Sequence, residues 1–205
     1  MSLIPRSGPK TAAMGKGASV SSTLAKIILR LIGWRAVFCQ PPGSKSVIMF
    51  YPHTSNWDFP LGVLFKWRYQ LDVHWAGKDT LFRFPLGPVL RWLGGVPINR
   101  RERTGMVDQL AERFAVSENF HICIAPEGTR SRTEHLKTGF YRLALLAGVP
   151  LGLAFVDYRH RCIGIERWVM LSGDEAEDLS VLRDYYASKQ AFDPAKAGGI
   201  SFKSS

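Results

Sequence analysis

The chain has 205 residues, 46% hydrophobic and 21% charged, which suffices for one domain with a full core and excludes a disordered segment. Its 27 Lys and Arg against 17 Asp and Glu give a formal net charge of +10, which implies an anionic partner: nucleic acid, a membrane surface or an anionic substrate. Cys39, Cys123 and Cys162 are odd in number and not at metal-ligand spacing, so they read as free thiols in a reducing compartment.

Residues 1–23 form an expected flexible lead-in, with Arg6, Lys10 and Lys16 but no apolar run of signal-peptide length. Residues 24–32 predict a short helix with Leu24, Ile27, Ile28 and Leu31 on one face and Lys26 and Arg30 on the other. Such a helix suits either a membrane interface or ordinary packing. No run reaches the ~18 apolar residues of a spanning helix, so the expected placement is cytoplasmic, peripheral on the inner face of the membrane. Val47 to Tyr51 predicts a buried strand, residues 61–69 a helix, and Val73 to Ala76 another strand. In residues 79–93, Pro85, Gly87 and Pro88 break any helix. Thr104 is placed to cap a helix through Val116, with Met106, Val107, Leu110, Ala111 and Phe114 as its stripe. His121 to Ala125 predicts a strand, 139–147 a helix, 150–157 and 162–171 strands, and 174–189 a last helix. The alternation predicts a single α/β domain over 24–193, with a mixed, largely parallel central sheet flanked by helices. The Gly- and Ser-rich stretch 194–205 reads as a loose tail.

Three loops carry candidate chemistry. His53-Thr54-Ser55-Asn56-Trp57-Asp58 follows a buried strand, and four residues separate His53 from Asp58. A tight loop can fold that carboxylate onto the imidazole and prepare a general base, or Asp58 can simply cap the next helix. Gly94-Gly95-Val96-Pro97-Ile98-Asn99-Arg100, with Arg101 and Arg103 behind it, joins close backbone approach to forked donors suited to phosphate; it also fits a turn before a solvated basic stretch. Pro126-Glu127-Gly128-Thr129-Arg130-Ser131-Arg132 ends another apolar strand and places an acid in a tight loop beside two arginines, which could equally be an internal ion pair. His74, His121, His135 and His160 have no carboxylate at the spacing of His53 and read as structural. The aromatic stretches Phe59 to Tyr69 and Leu81 to Trp92 fit either an acyl groove or core packing.

In this order, His53/Asp58, Gly95 to Arg100, Glu127 to Arg130 and the later Val149-Pro150 closely resemble the four blocks of the glycerolipid, or lysophospholipid, acyltransferase family. The resemblance covers roughly residues 45–157. It implies transfer of a fatty acyl group from acyl-CoA or acyl carrier protein to a lysophospholipid hydroxyl, most favourably that of 1-acylglycerol-3-phosphate. His53 and Asp58 would be the catalytic pair. Arg100 and Arg130 would hold acceptor phosphate, with Glu127, Gly128 and Thr129 shaping the same acceptor site. No metal or cofactor besides the acyl donor is implied. An anionic membrane surface is the expected partner and nucleic acid is not, because the basic residues gather in loops after strands. The rival readings are another amphiphilic acceptor, a non-catalytic lipid-binding relative, and a basic nucleic-acid binder.

Overall fold

The computed structural model describes residues 19–99 and 105–203. Seven strands form one sheet: β1 (Arg35–Phe38), β2 (Lys45–Phe50), β3 (Val73–Lys78), β4 (Gly95–Ile98), β5 (Phe120–Ile124), β6 (Leu151–Asp157) and β7 (Cys162–Val169), in the order β1-β7-β6-β2-β5-β3-β4. Strands β2 to β6 are mutually parallel. Residues 158–161 turn β6 back into antiparallel β7, and β1 lies parallel to β7. The sheet is thus mixed and largely parallel, as expected.

Among the described residues six α-helices cover it: α1 (Val20–Leu31), α2 (Asp58–Tyr69), α3 (Gly87–Trp92), α4 (Met106–Val116), α5 (Gly139–Ala147) and α6 (Glu175–Tyr186). Parallel strands bury both faces, so β2 reads as an apolar run rather than an alternation. Its side chains divide between two cores. Val47 and Met49 join Leu110, Phe140 and Leu182 beneath α4, α5 and α6, while Ile48 joins Leu29, Leu61 and Phe65 beneath α1 and α2. Gly148 closes α5 in the left-handed region at φ 60°, where a side chain would be strained.

Two expectations need correction. β1 and β4 were not foreseen; both are four-residue edge strands, and β4 carries Pro97, which only an edge tolerates. The inward face of α1 is Ser22, Ala25 and Leu29, so Leu24, Ile27 and Leu31 point outward with Val20. Small residues let α1 lie close on α2, where Ser22 Oγ donates to the Arg68 carbonyl at 2.7 Å. Residues 194–203 are tied down rather than loose. Ile200 and Phe202 are buried, the Leu136 N–H donates to the Ser201 carbonyl at 2.8 Å, and the Arg183 guanidinium donates to the Ile200 carbonyl. Thr104, the expected cap of α4, lies outside the described residues.

Candidate active site

β2 and β5 are adjacent and parallel, so the loops after Phe50 and Ile124 leave the sheet side by side. In the first loop His53 Nδ1 lies 2.9 Å from Asp58 Oδ2. Facing a carboxylate, Nδ1 carries the hydrogen, which leaves Nε2 as the free acceptor. Asp58 is 2% exposed and opens α2, yet its carboxylate turns away from the helix and back to the loop. Oδ2 also accepts the Thr54 and Ser55 N–H groups at 3.1 and 3.0 Å. Of the two sequence-level readings, the structure therefore forms the His–Asp pair and not a helix cap. The Phe50 ring meets the imidazole edge-on.

Glu127 reaches across from the second loop, and its Oε2 accepts the His53 backbone N–H at 2.7 Å. The carboxyl is 2% exposed. Burial, with a contribution from the Asp58 charge, pushes its pKa up to about 8 against the opposing pull of the His53 N–H. Glu127 thus holds the histidine loop. Gly128 takes φ +65°, a conformation that strains any side chain and favours glycine. Its N–H donates to the Ala125 carbonyl within the turn, and Thr129 Oγ1 accepts the Ser131 N–H. Thr129 and Arg130 are exposed at the loop tip. Arg100, with Arg101 and Arg103, lies outside the described residues. The strand preceding it, β4, is three strand positions from β2, roughly 14 Å across the sheet. Gly94 and Gly95 are taken up by packing: a side chain at Gly95 would strike Phe82 and the Leu90 carbonyl.

A residue that the motifs did not flag completes the first loop. Tyr158, just past β6, donates its hydroxyl to Asp58 Oδ1 at 2.7 Å. Burial, followed by this bond, holds the phenol well above its ordinary pKa, so it remains a donor. Trp34 and Phe192 clasp the ring edge-on at 5.0 and 5.1 Å. The only sequence signal was an aromatic at the end of a strand beside β2. The remote segment also reaches the site: the Asp193 N–H donates to Thr54 Oγ1 at 3.2 Å, and the Tyr51 hydroxyl donates to the Gly198 carbonyl.

The remaining histidines divide. His74 and His121 sit in strands, where burial lowers both pKa values, and His135 meets Ser201. His160 pairs with a carboxylate at another spacing, Asp157, three residues before it and 2.7 Å away.

An α/β sheet whose parallel strand ends present a histidine braced by a buried carboxylate has the geometry of a general base. The chain belongs to the acyltransferase family: that family's model, described as Acyltransferase, matches residues 38–152. A 1-acyl-sn-glycerol-3-phosphate acyltransferase of Haemophilus influenzae is 32% identical over 123 residues, 57% of this chain and 50% of that protein. The chain thus spans about half the length of this curated relative. The fold is shared with the crystal structure of the 1-acyl-sn-glycerophosphate (LPA) acyltransferase PlsC of Thermotoga maritima, at a TM-score of 0.54 and 18% identity over 80% of this chain and 74% of that one.

Proposed function

We propose that this protein transfers a fatty acyl group from acyl-CoA or acyl carrier protein to the free hydroxyl of 1-acylglycerol-3-phosphate, in phospholipid biosynthesis. His53 Nε2 takes the proton of the acceptor hydroxyl as that oxygen attacks the thioester carbonyl. The imidazolium is stabilised through Nδ1 by Asp58, and the tetrahedral adduct collapses by expelling the thiolate. A thiol pKa near 8.5, by analogy with cysteine, makes this leaving group adequate without strong acid assistance. General-base help accounts for roughly 10²–10⁴ of the rate, and the alignment of two bound substrates supplies much of the rest. Arg100 and Arg130 hold the acceptor phosphate, and Glu127, Gly128 and Thr129 shape that side of the site, with Glu127 acting through the His53 loop.

The protein works from the inner membrane surface. The outward apolar crest of α1 and the net charge of +10 support this, and no helix among the described residues is long and apolar enough to cross a bilayer. The observation that carries the reading is the His53–Asp58 pair, buried on its acidic side and open at Nε2, in a chain of the acyltransferase family. Mass spectrometry of products from a panel of lysolipids, offered with acyl-CoA and with acyl carrier protein, tests it. Diacylglycerol 3-phosphate is the expected product. No acylated product from any pairing would overturn the enzymatic reading, and a preferred phosphate-free acceptor would overturn the choice of substrate.

A further inference from the structure

On the α1 and α2 side of the sheet lies a groove of about 360 Å³ bounded by α1, β1 and the end of α2. Lys26, Arg30, Arg35 and Arg68 stand around it, and no acidic side chain of the described residues lines it. Among the described residues none of the four forms an ion pair. Residues 1–18 add Arg6, Lys10 and Lys16 and contain no Asp or Glu, so no acid from that stretch can neutralise the groove. Four cations at close quarters repel one another, and their gathering without counter-charge calls for an anion from outside the chain.

The walls are held in place. Ser22 Oγ ties α1 to the end of α2, and the Tyr69 hydroxyl donates to the Ala36 carbonyl of β1 at 2.8 Å. The Arg68 guanidinium lies over the Tyr69 ring at 5.1 Å. Along α1, Lys26 and Arg30 flank a crest of Val20, Leu24, Ile27 and Leu31, of which Val20 and Leu31 are 85% and 80% exposed. An acidic protein would answer the charges and leave that crest in water. A lipid with an anionic head answers both, with its phosphate among the cations and its chains against the crest.

We infer that the groove between α1, β1 and α2 is a binding site for the head group of an anionic phospholipid in the bilayer surface, distinct from the acceptor site. It rests on the reading of this chain as an enzyme working at a membrane. Trp34 lines the upper end of the groove and touches Tyr158, the partner of Asp58. A lipid seated there sets the bilayer beside the catalytic end of the sheet, where a membrane-borne acceptor would arrive.

The test is sedimentation of the full chain with vesicles of phosphatidylcholine alone or mixed with phosphatidylglycerol. Arg30→Gln/Arg35→Gln is compared with Arg113→Gln/Arg142→Gln, which removes the same charge from α4 and α5 on the other face of the sheet. At about one near-surface cation's contribution each, the groove pair should lose roughly ten- to thirtyfold in affinity for the mixed vesicles. The control pair should lose less than about threefold, because distant charges are screened. Equal losses in the two pairs, or no loss in the groove pair, would overturn the site. So would a groove pair that keeps vesicle binding but loses binding to an acidic carrier protein. Turnover of short-chain, fully dissolved substrates by Arg30→Gln/Arg35→Gln should match the parent protein; a loss there would make the groove part of the substrate site and also overturn the proposal. If the parent protein acylates nothing while the vesicle result holds, the acyltransferase reading fails and the lipid site stands.

Discussion

Two histidines in this molecule are paired with buried aspartates, and the pairs differ in what surrounds them. His53–Asp58 and His160–Asp157 have nearly the same separation, 2.9 and 2.7 Å, and each carboxylate also collects backbone N–H groups. Asp157 spends its acceptors on the hairpin after β6, taking N–H groups from Arg159 and His160 and from Gln190, and its histidine side chain stands 56% exposed. The His53 side chain is 22% exposed, its backbone N–H is fixed by Glu127, and its aspartate is braced by Tyr158. A carboxylate orients an imidazole in both places. Only around His53 do three separate segments converge to fix the pair, so proximity of His to Asp is a weak indicator and convergence of supports a strong one.

The largest contrast is expected from removing each imidazole. His53→Ala should lower turnover by roughly 10²–10⁴ with an unchanged far-ultraviolet spectrum, whereas His160→Ala should keep turnover within about twofold. Steady-state rates of the two variants under one set of conditions decide it, and comparable losses would erase the distinction. Next come the carboxylates. Asp58→Asn should lower kcat by about a hundredfold or more, because the amide can favour the wrong imidazole tautomer. Asp157→Asn should instead cost about 1–3 kcal/mol of stability, visible in denaturant midpoints, with kcat nearly intact.

A smaller effect is expected at Tyr158. Tyr158→Phe keeps the ring between Trp34 and Phe192 and removes only the bond to Asp58, so kcat should fall roughly tenfold, the order of one hydrogen bond to a charged group, with KM unchanged. A matching rise in KM would mean that the tyrosine belongs to a substrate pocket.

The mildest effects are pH-linked. Folding raises the Glu127 pKa, so the native state holds this proton more tightly than the unfolded chain. Stability therefore falls as pH rises from the ordinary value of 4.5 to about 8, and the change ends there. Glu127→Gln should flatten that decline, by up to a few kcal/mol. Asp157 has the opposite sign: burial alone would raise its pKa, but the hydrogen bonds from His160 and Gln190 outweigh burial and lower it. Its stabilisation is complete above the ordinary 3.8 and is lost as pH falls through the lowered value. His160→Ala should shrink that acid-side loss by a small amount in urea titrations at low pH.

Much of this organisation was legible in the residues. The apolar runs of β2, β5 and β6 and the stripe of α4 are strong because each buries whole faces of side chains. Arg-Ala-Val-Phe and Gly-Val-Pro-Ile were too short to show a period, and both sit at edges where half the burial is missing. Tyr158 lies a hundred residues from Asp58, and only the β2–β6 pairing makes them neighbours. The period of the α1 stripe was legible and its facing was not, because periodicity does not say which side is in. Composition misled at residues 194–203, where two isolated apolar residues, Ile200 and Phe202, outweigh the glycines and serines around them.

That last segment has a consequence for how the protein is made. β2 lies at the centre of the sheet but is synthesised early, and its two neighbours arrive some 75 and 104 residues later, at Lys45↔Phe120 and Val47↔Leu151. The loop carrying His53 then waits longer still, because Asp193 and Gly198 supply partners to Thr54 and Tyr51, and Phe202 must seat beside Phe140 and Tyr141 before that segment is anchored. On the ribosome, the nascent chain therefore carries the His53 loop without these remote partners until residue 202 has cleared the exit tunnel. A nascent chain stalled before Asp193 can hold most of its sheet while Thr54 and Tyr51 still lack these partners.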